Sequence, residues 1–270
     1  CGREAGHYFY LDFVVPSKKK IAYASSFGDF AHGNEEYETL SRYYLKQFDA
    51  ISVREKAAVD YLSEKFNVEA EQVLDPVFLC DIGHYRQAIA DSRIKESGDF
   101  FATYFLGPGQ EKKNAILALQ NSLGIEFRNL SNPNRPTDEL EQRLGLPLLR
   151  DVSVEDWLYY MSNCKFYIGD SFHGLCFAII FHRPFIVFID KNLPSRGRFD
   201  TLLKITGLED RMIYLDSSAE ELSRLAQTPI DYGKVEERLR PYRENSYQWL
   251  KAALDKKKAG SNLPVSQERI

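Results

Sequence analysis

Residues 165–190 read KFYIGDSFHGLCFAIIFHRPFIVFID, and no other segment constrains the architecture as tightly. KFYIGDS (165–171) is short, apolar and rich in strand formers. FHGLCFAIIFH (172–182) is long enough for three helical turns. PFIVFID (184–190) is a second apolar run, opened by a proline that stops the helix. A strand, a helix and a strand joined by such short links form a right-handed crossover in a parallel sheet. The segment also carries an oddity. Asp170, Ser171, His173 and Gly174 stand together at the mouth of a run that otherwise belongs in a core.

Working outward, the same alternation recurs. KIAYASSF (20–27), AISVRE (50–55) and EQVLDP (71–76) read as strands. EYETLSRYYLKQF (36–48) and EKAAVDYLSEKF (55–66) read as the helices between them, the second with Ala58, Val59, Leu62 and Phe66 at helical spacing. A second series comprises DFFATYFLG (99–107), GIEFRNLS (124–131) and RMIYL (211–215) as strands. QEKKNAILALQNSL (110–123), VSVEDWLYYMSNC (152–164), GRFDTLLKITG (197–207) and SAEELSRLAQ (218–227) read as helices. The turn-rich NPNRPTDELEQRLG (132–145) reads as a loop holding a short helix. Residues 233–258 read as one long helix with a kink at Pro241. The expected class is α/β, with two units built on parallel sheets. The polar stretch at 85–98 suggests units of 1–92 and 93–230, with helix 231–260 returning to the first. Three strands are few for such a unit, and the chain opens on Cys1, so the first unit is expected to be partial.

Composition narrows the function. The 270 residues carry 39 acidic and 35 basic side chains, net charge −4, with 44% apolar and 27% charged residues. This balance excludes a globally basic nucleic-acid binder. An anionic ligand would need a local cluster of cations. No uninterrupted apolar run of about 18 residues predicts a membrane span, and no signal peptide is recognisable. Cys1, Cys80, Cys164 and Cys176 form no CxxC pair and no zinc spacing, so buried free thiols and a cytoplasmic location are expected, in solution or peripheral at the inner membrane face. Metal-ligand clusters, GxxxxGK[ST] and GxGxxG are absent from the sequence.

The GDSFHG turn lies at the carboxyl end of a strand, where open α/β sheets bind ligands. Asp170 or Ser171 is a helix N-cap, and a helix start attracts anions through free N–H groups and its dipole. Gly174 would let a ligand approach the backbone, and His173 supplies a titratable ring. A capping serine and a histidine satisfied by a nearby carbonyl remain an open alternative. Arg54 and Glu55, in SVRE, stand where a strand gives way to a helix, and arginine suits bidentate contact with carboxylate or phosphate; a surface ion pair is the alternative. Arg196 and Arg198 lie in NLPSRGRF, again past a strand, as an anion-binding or merely solvated loop. Asp75 in VLDP is read as closing a turn, Arg211 as paired with Asp210 or Glu209, and Asp29 and His32 as loop residues after the first strand.

The ordered blocks IAYASSFG, AISVREKAAVDYL, VLDPVFL, GDSFHGLCFAIIFHRPFIVF and RGRFDTLLKITGLEDR resemble the polysaccharide pyruvyl transferases over about residues 8–211. That resemblance implies an architecture like the GT-B glycosyltransferases, with an active site between two Rossmann-like units. It implies transfer of the pyruvyl group of phosphoenolpyruvate onto two hydroxyls of a saccharide or lipid-linked saccharide, forming a cyclic ketal, without metal or organic cofactor. By resemblance, His173 corresponds to the catalytic histidine, and Arg54 and Arg198 match basic positions. Arg54, Arg198 and Arg196 would hold the donor, with Ser171, Gly174, Asp170 and Glu55 lining its site. The family's GDxx-type and GSDQxW-like segments do not precede YFYLDF here. Two rivals share these residues: a glycosyltransferase with a nucleotide-sugar donor, for which Glu220 or Glu221 could bind ribose, and a non-catalytic sugar- or anion-binding protein.

Overall fold

A computed structural model describes residues 8–15, 17–26, 35–96, 98–107, 109–132, 134, 136–190, 196–214 and 217–256. The chain divides into two compact units, residues 1–76 with 241–270, and residues 77–240.

The first unit holds a parallel sheet in the order β1-β2-β3: β1 (Ile21–Ser25), β2 (Ala50–Val53) and β3 (Glu71–Gln72). Helix α1 (Glu35–Leu45) connects β1 to β2. Helix α2 (Lys56–Tyr61) succeeds β2 and widens into a π-helical turn, Leu62–Phe66. Leu45, Ile51, Val53, Ala58, Leu62 and Phe66 form the core, so the apolar spacing read in 55–66 does face inward. The stretch EQVLDP is strand only at its first two residues. Beyond Val73 the backbone leaves the ladder, because Leu74 donates its N–H to Ser246 Oγ at 2.9 Å, and Pro76 starts a 3-10 turn.

The second unit holds five parallel strands in the order β5-β4-β6-β7-β8. They are β4 (Phe100–Tyr104), β5 (Glu126–Leu130), β6 (Phe166–Gly169), β7 (Phe185–Ile189) and β8 (Met212–Tyr214). The helices between and around them are α3 (Ile82–Ala90), α4 (Gln110–Leu123), α5 (Thr137–Leu144), α6 (Val154–Asn163), α7 (Phe172–Ile180), α8 (Gly197–Thr206) and α9 (Ala219–Gln227). Phe101, Ile116, Leu119, Leu140, Phe166, Ile168, Ile186 and Phe188 belong to one buried cluster. The strand–helix–strand reading of 165–190 is realised as β6, α7 and β7. The apolar content of α7 is explained by burial on most of its circumference, including Phe172, Leu175, Cys176, Ala178 and Ile179.

The polar stretch near 85–98 is not a linker. Most of it is α3, capped by Asp81, whose side chain accepts from the Gly83 N–H at 2.7 Å. Its C-terminal side is tied to α6: Asp156 Oδ1 accepts from Ser92 Oγ at 2.8 Å and from the Arg93 N–H at 3.0 Å. Tyr85 packs edge-on against Phe177 of α7 at 5.1 Å. The tail is one 24-residue helix, α10 (Tyr232–Asp255), with Pro241 inside it. Its residues up to Arg240 belong to the second unit and those from Pro241 to the first. In the first unit Trp249 packs on Tyr23 at 5.9 Å, and Lys19 Nζ caps the carbonyls of Ala253 and Leu254 at 2.9 and 2.7 Å.

Candidate active site

In the second unit the strand order reverses direction between β4 and β6. Each of these two strands leads into a helix, α4 and α7 respectively. Such a switch point opens a crevice outside the carboxyl ends of the strands, the usual ligand position in open α/β sheets. Asp170 sits in it, yet it caps no helix. Its Oδ1 accepts from the Leu106 N–H at 2.6 Å and its Oδ2 from the Gly107 N–H at 3.3 Å. Its Oδ2 also lies 2.5 Å from Lys112 Nζ, which donates a further bond to the Gly107 carbonyl. Asp170 therefore stitches the loop after β4 to the loop after β6. Lys112, in the first turn of α4, was not singled out by the sequence; its signal was a lysine two residues past the Gly-rich turn FLGPGQ.

Ser171 is the N-cap of α7, and its Oγ accepts from the Gly174 N–H at 3.3 Å. Gly174 does not serve ligand approach as expected. It is buried, and a Cβ there would collide with the phenol hydroxyl of Tyr167. Gly169 makes room for the same hydroxyl. Tyr167 is fully buried, its hydroxyl has no hydrogen-bond partner among the described residues, and burial pushes its pKa well up. The neighbouring Tyr104 is also pushed up, by burial and then by the charge of Asp170.

His173 is exposed in the first turn of α7. Its ring meets Phe172 edge-on at 5.8 Å. The Arg198 guanidinium lies over the same Phe172 ring at 5.4 Å and over Phe199 at 5.6 Å. Phe172, which the sequence left among the core aromatics, thus contacts both His173 and Arg198. Arg196 is placed differently. Its Nε binds Asp200 Oδ2 at 3.0 Å, one helical turn on, and its guanidinium lies over Tyr214 at 5.5 Å.

In the first unit Arg54 and Glu55 stand past the end of β2. Arg54 NH1 lies 2.5 Å from Asp75 Oδ2, with the arginine side chain 15% and the aspartate 2% exposed. Asp75 thus holds Arg54 in place and does more than close a turn. Glu55 has the extended backbone of a helix N-cap but gives no capping bond. Its side chain is buried and accepts from Ser26 Oγ–H through Oε1, while Oε2 is buried without a hydrogen-bond partner among the described residues. Ser52 Oγ shapes this strand end: it accepts from the Ala24 N–H at 3.0 Å and donates to the Ala22 carbonyl at 3.2 Å. Ala24 takes φ +51°, a left-handed conformation costing about 1–3 kcal/mol for a non-glycine residue.

The family model of polysaccharide pyruvyl transferase matches residues 1–192. The chain belongs to this family. The match includes Arg54, Glu55 and Asp170–Gly174 and ends before Arg196 and Arg198. Pyruvyl transferases of this kind are transferases acting on saccharides. No curated protein matches the chain. Among solved structures, a putative UDP-N-acetylglucosamine 2-epimerase from Listeria monocytogenes aligns over 89% of this chain and 69% of its own, with TM-score 0.54 and 11% identity. A UDP-N-acetylglucosamine 2-epimerase from Rickettsia bellii aligns over 86% and 69%, with TM-score 0.53 and 11% identity. Arabidopsis thaliana UGT89C1 complexed with UDP-L-rhamnose aligns over 87% and 66%, with TM-score 0.50 and 11% identity. These likenesses bear out the GT-B-like α/β fold and speak to fold alone.

The remaining residues of this pyruvyl transferase have local roles. Arg211 is a buried clamp rather than a partner of Asp210 only: its NH1 donates to the Leu225 carbonyl at 2.9 Å, and NH2 to those of Thr228 and Pro229 at 2.9 and 3.2 Å. Burial pushes its pKa down. Glu220 and Glu221 occupy the first turn of α9, capped by Ser218, where helix-start donors account for them. Cys164 and Cys176 are buried free thiols and Cys80 an exposed one. Asp29, His32 and Cys1 lie outside the described residues. Among the described residues no helix is long and apolar enough to cross a membrane.

Proposed function

We propose that this transferase moves the pyruvyl group of phosphoenolpyruvate onto two hydroxyls of a saccharide or lipid-linked saccharide, forming a cyclic ketal. The observation that carries the reading is the family match together with an exposed His173 in the first turn of α7, sharing the Phe172 platform with Arg198. Phosphoenolpyruvate is small and densely anionic, so fixed donors and cations must hold it. The α7 start offers N–H groups, and Arg198 beside Phe172 offers positive charge. Arg196, engaged by Asp200 and Tyr214, is a secondary contact.

The chemistry derives from the enol. A proton delivered to the methylene carbon makes the central carbon electrophilic. One sugar hydroxyl adds there, and a second displaces phosphate. His173 is the proton-transfer group, because an imidazole carries one ring nitrogen that can give a proton and one that can accept it. The reaction draws on the donor's own enol phosphate and calls for no metal or organic cofactor. A saccharide carried on lipid would place the enzyme on the cytoplasmic side, in solution or peripherally at the inner membrane face.

The test is a thermal-shift titration with phosphoenolpyruvate beside UDP, GDP and CMP. Donor at 100 times its dissociation constant adds about 2.7 kcal/mol of stability, a rise of several degrees. A rise with phosphoenolpyruvate alone supports pyruvyl transfer. A rise with one nucleotide alone overturns it in favour of a nucleotide-sugar glycosyltransferase.

A further inference from the structure

Asp170 stands one residue before the N-cap of α7, the turn whose N–H groups are the proposed seat of an anionic donor. A carboxylate there ordinarily repels an anionic ligand and competes with it for the helix dipole. The reach is fixed by the chain itself: Asp170 is three residues from His173, so their Cα atoms lie within about 11 Å of each other. The local geometry explains why the charge is kept. Three donors converge on the two oxygens of Asp170: the Leu106 N–H at 2.6 Å, the Gly107 N–H at 3.3 Å and Lys112 Nζ at 2.5 Å. An asparagine would turn its own amide N–H groups toward one of those donors, whereas an ionised carboxylate accepts on both sides. Lys112 is held firmly beside it. Its Nζ also donates to the Gly107 carbonyl and lies 5.4 Å from the centre of the Phe105 ring. The pair is largely withdrawn from water, so solvent alone does little to screen the carboxylate.

We propose that Lys112 is a positioning residue for donor binding: it neutralises Asp170, so that the carboxylate fastens the β6–α7 turn to the loop after β4 without repelling phosphoenolpyruvate from the start of α7. The inference rests on the pyruvyl-transfer reading. Lys112 touches no donor; it acts through Asp170. Both residues, the two loops and α7 belong to the second unit. An unpaired carboxylate about 10 Å from a bound anion, at an effective dielectric constant of about 20, raises the dissociation constant by about tenfold or more. The ion pair presents only a short dipole, whose field falls off faster with distance. Lys112 thus removes a repulsion and adds no attraction of its own, which separates it from Arg198.

The experiment measures phosphoenolpyruvate binding to the whole chain by isothermal titration calorimetry, at about 0.01 M and about 0.5 M salt. It compares wild type with Lys112→Met, Lys112→Arg, Asp170→Asn and the double variant Lys112→Met/Asp170→Asn. Methionine keeps much of the lysine stem and drops its charge. At low salt the expected dissociation constant is about tenfold higher for Lys112→Met, within about threefold of wild type for Lys112→Arg, and equal or lower for Asp170→Asn. The double variant returns to within about threefold of wild type, although its melting temperature is lower. At high salt, where the screening length is about 4 Å, the deficit of Lys112→Met shrinks to about twofold or less. A purely structural pair gives a loss that is equal at both salts, shared by Asp170→Asn and kept by the double variant. That pattern, or wild-type affinity in Lys112→Met at low salt, overturns the role while donor binding stands. A wild-type chain that binds no phosphoenolpyruvate overturns the transfer reading, and this role with it.

Discussion

Lys112 Nζ lies 2.5 Å from Asp170 Oδ2, across the gap between the two strands at which the sheet order reverses. The side chains are 13% and 12% exposed, so the pair is largely removed from water. Asp170→Ala leaves Lys112 without its anion and frees two loop N–H groups. The expected cost is about 2–4 kcal/mol, read as a lowered urea midpoint. Lys112→Ala together with Asp170→Ala should cost much less than the sum of the two. Additive losses would show that the pair does not act as a unit.

His173 is exposed and meets Phe172 by the edge of its ring, so its removal should cost little packing. His173→Ala should lower turnover by about 10²–10⁴-fold with an unchanged melting temperature. Near-normal turnover would remove the proton-transfer role, and a change in ligand affinity alone would point to a binding protein.

Arg198 lies over the face of Phe172, and His173 meets the same ring edge-on. Lysine keeps the charge but not the planar fork or its stacking. Arg198→Lys should therefore weaken phosphoenolpyruvate binding by about tenfold, a loss of about 1.4 kcal/mol. Phe172→Leu should reproduce that loss and also slow turnover, because it disturbs both partners of the ring. Steady-state kinetics on both variants checks this.

Gly174 is held by the phenol of Tyr167. Gly174→Ala should destabilise by about 1–3 kcal/mol through overpacking, seen as a fall in melting temperature. Tyr167→Phe alone should be neutral or mildly stabilising, since it removes a buried hydroxyl that has no partner among the described residues. Combined with Gly174→Ala it should restore part of the loss. A strongly destabilising Tyr167→Phe would show that the hydroxyl makes a bond in solution.

Asp156 carries a pH dependence. Burial acts to raise its carboxyl pKa, but hydrogen bonds from Ser92, Arg93 and the Ser153 N–H outweigh it and hold the group well below the usual carboxylate range. A depressed native pKa means stability that is complete above the unfolded value, about 3.9, and lost as pH falls below it. Asp156→Asn should lower stability at pH 7 and flatten the decline between about pH 4 and pH 2. Urea midpoints of both proteins across that range measure the difference; equal slopes would assign the acid sensitivity elsewhere.

The sequence revealed most of the architecture because its signals were local. The crossover at 165–190 needed only two apolar runs, an intervening helix and Pro184. The helix ends at Gly124, Gly145 and Gly207 take positive φ, which glycine permits without strain. Where the reading fell short, the deciding partner was remote. Strand β3 stops early because Leu74 donates to Ser246, 172 residues away. Helix α3 looked like a linker because it buries no residue of its own, and Asp156 of α6 secures Ser92 and Arg93 just beyond its end.

The same distinction separates the candidate site's parts. The residue types at Arg54, Glu55 and Ser171–Gly174, their order, and their placement after strands were all determined by the sequence itself, since capping and strand endings depend on near neighbours. Tertiary structure alone decided that Asp170 takes Lys112 instead of a helix start, that Gly174 serves Tyr167, and that Phe172 carries both His173 and Arg198. It also decided that Glu55 turns inward to Ser26. Those outcomes depend on which side chains converge from separate strands and helices, and packing in three dimensions selects among partners that the linear order leaves equivalent.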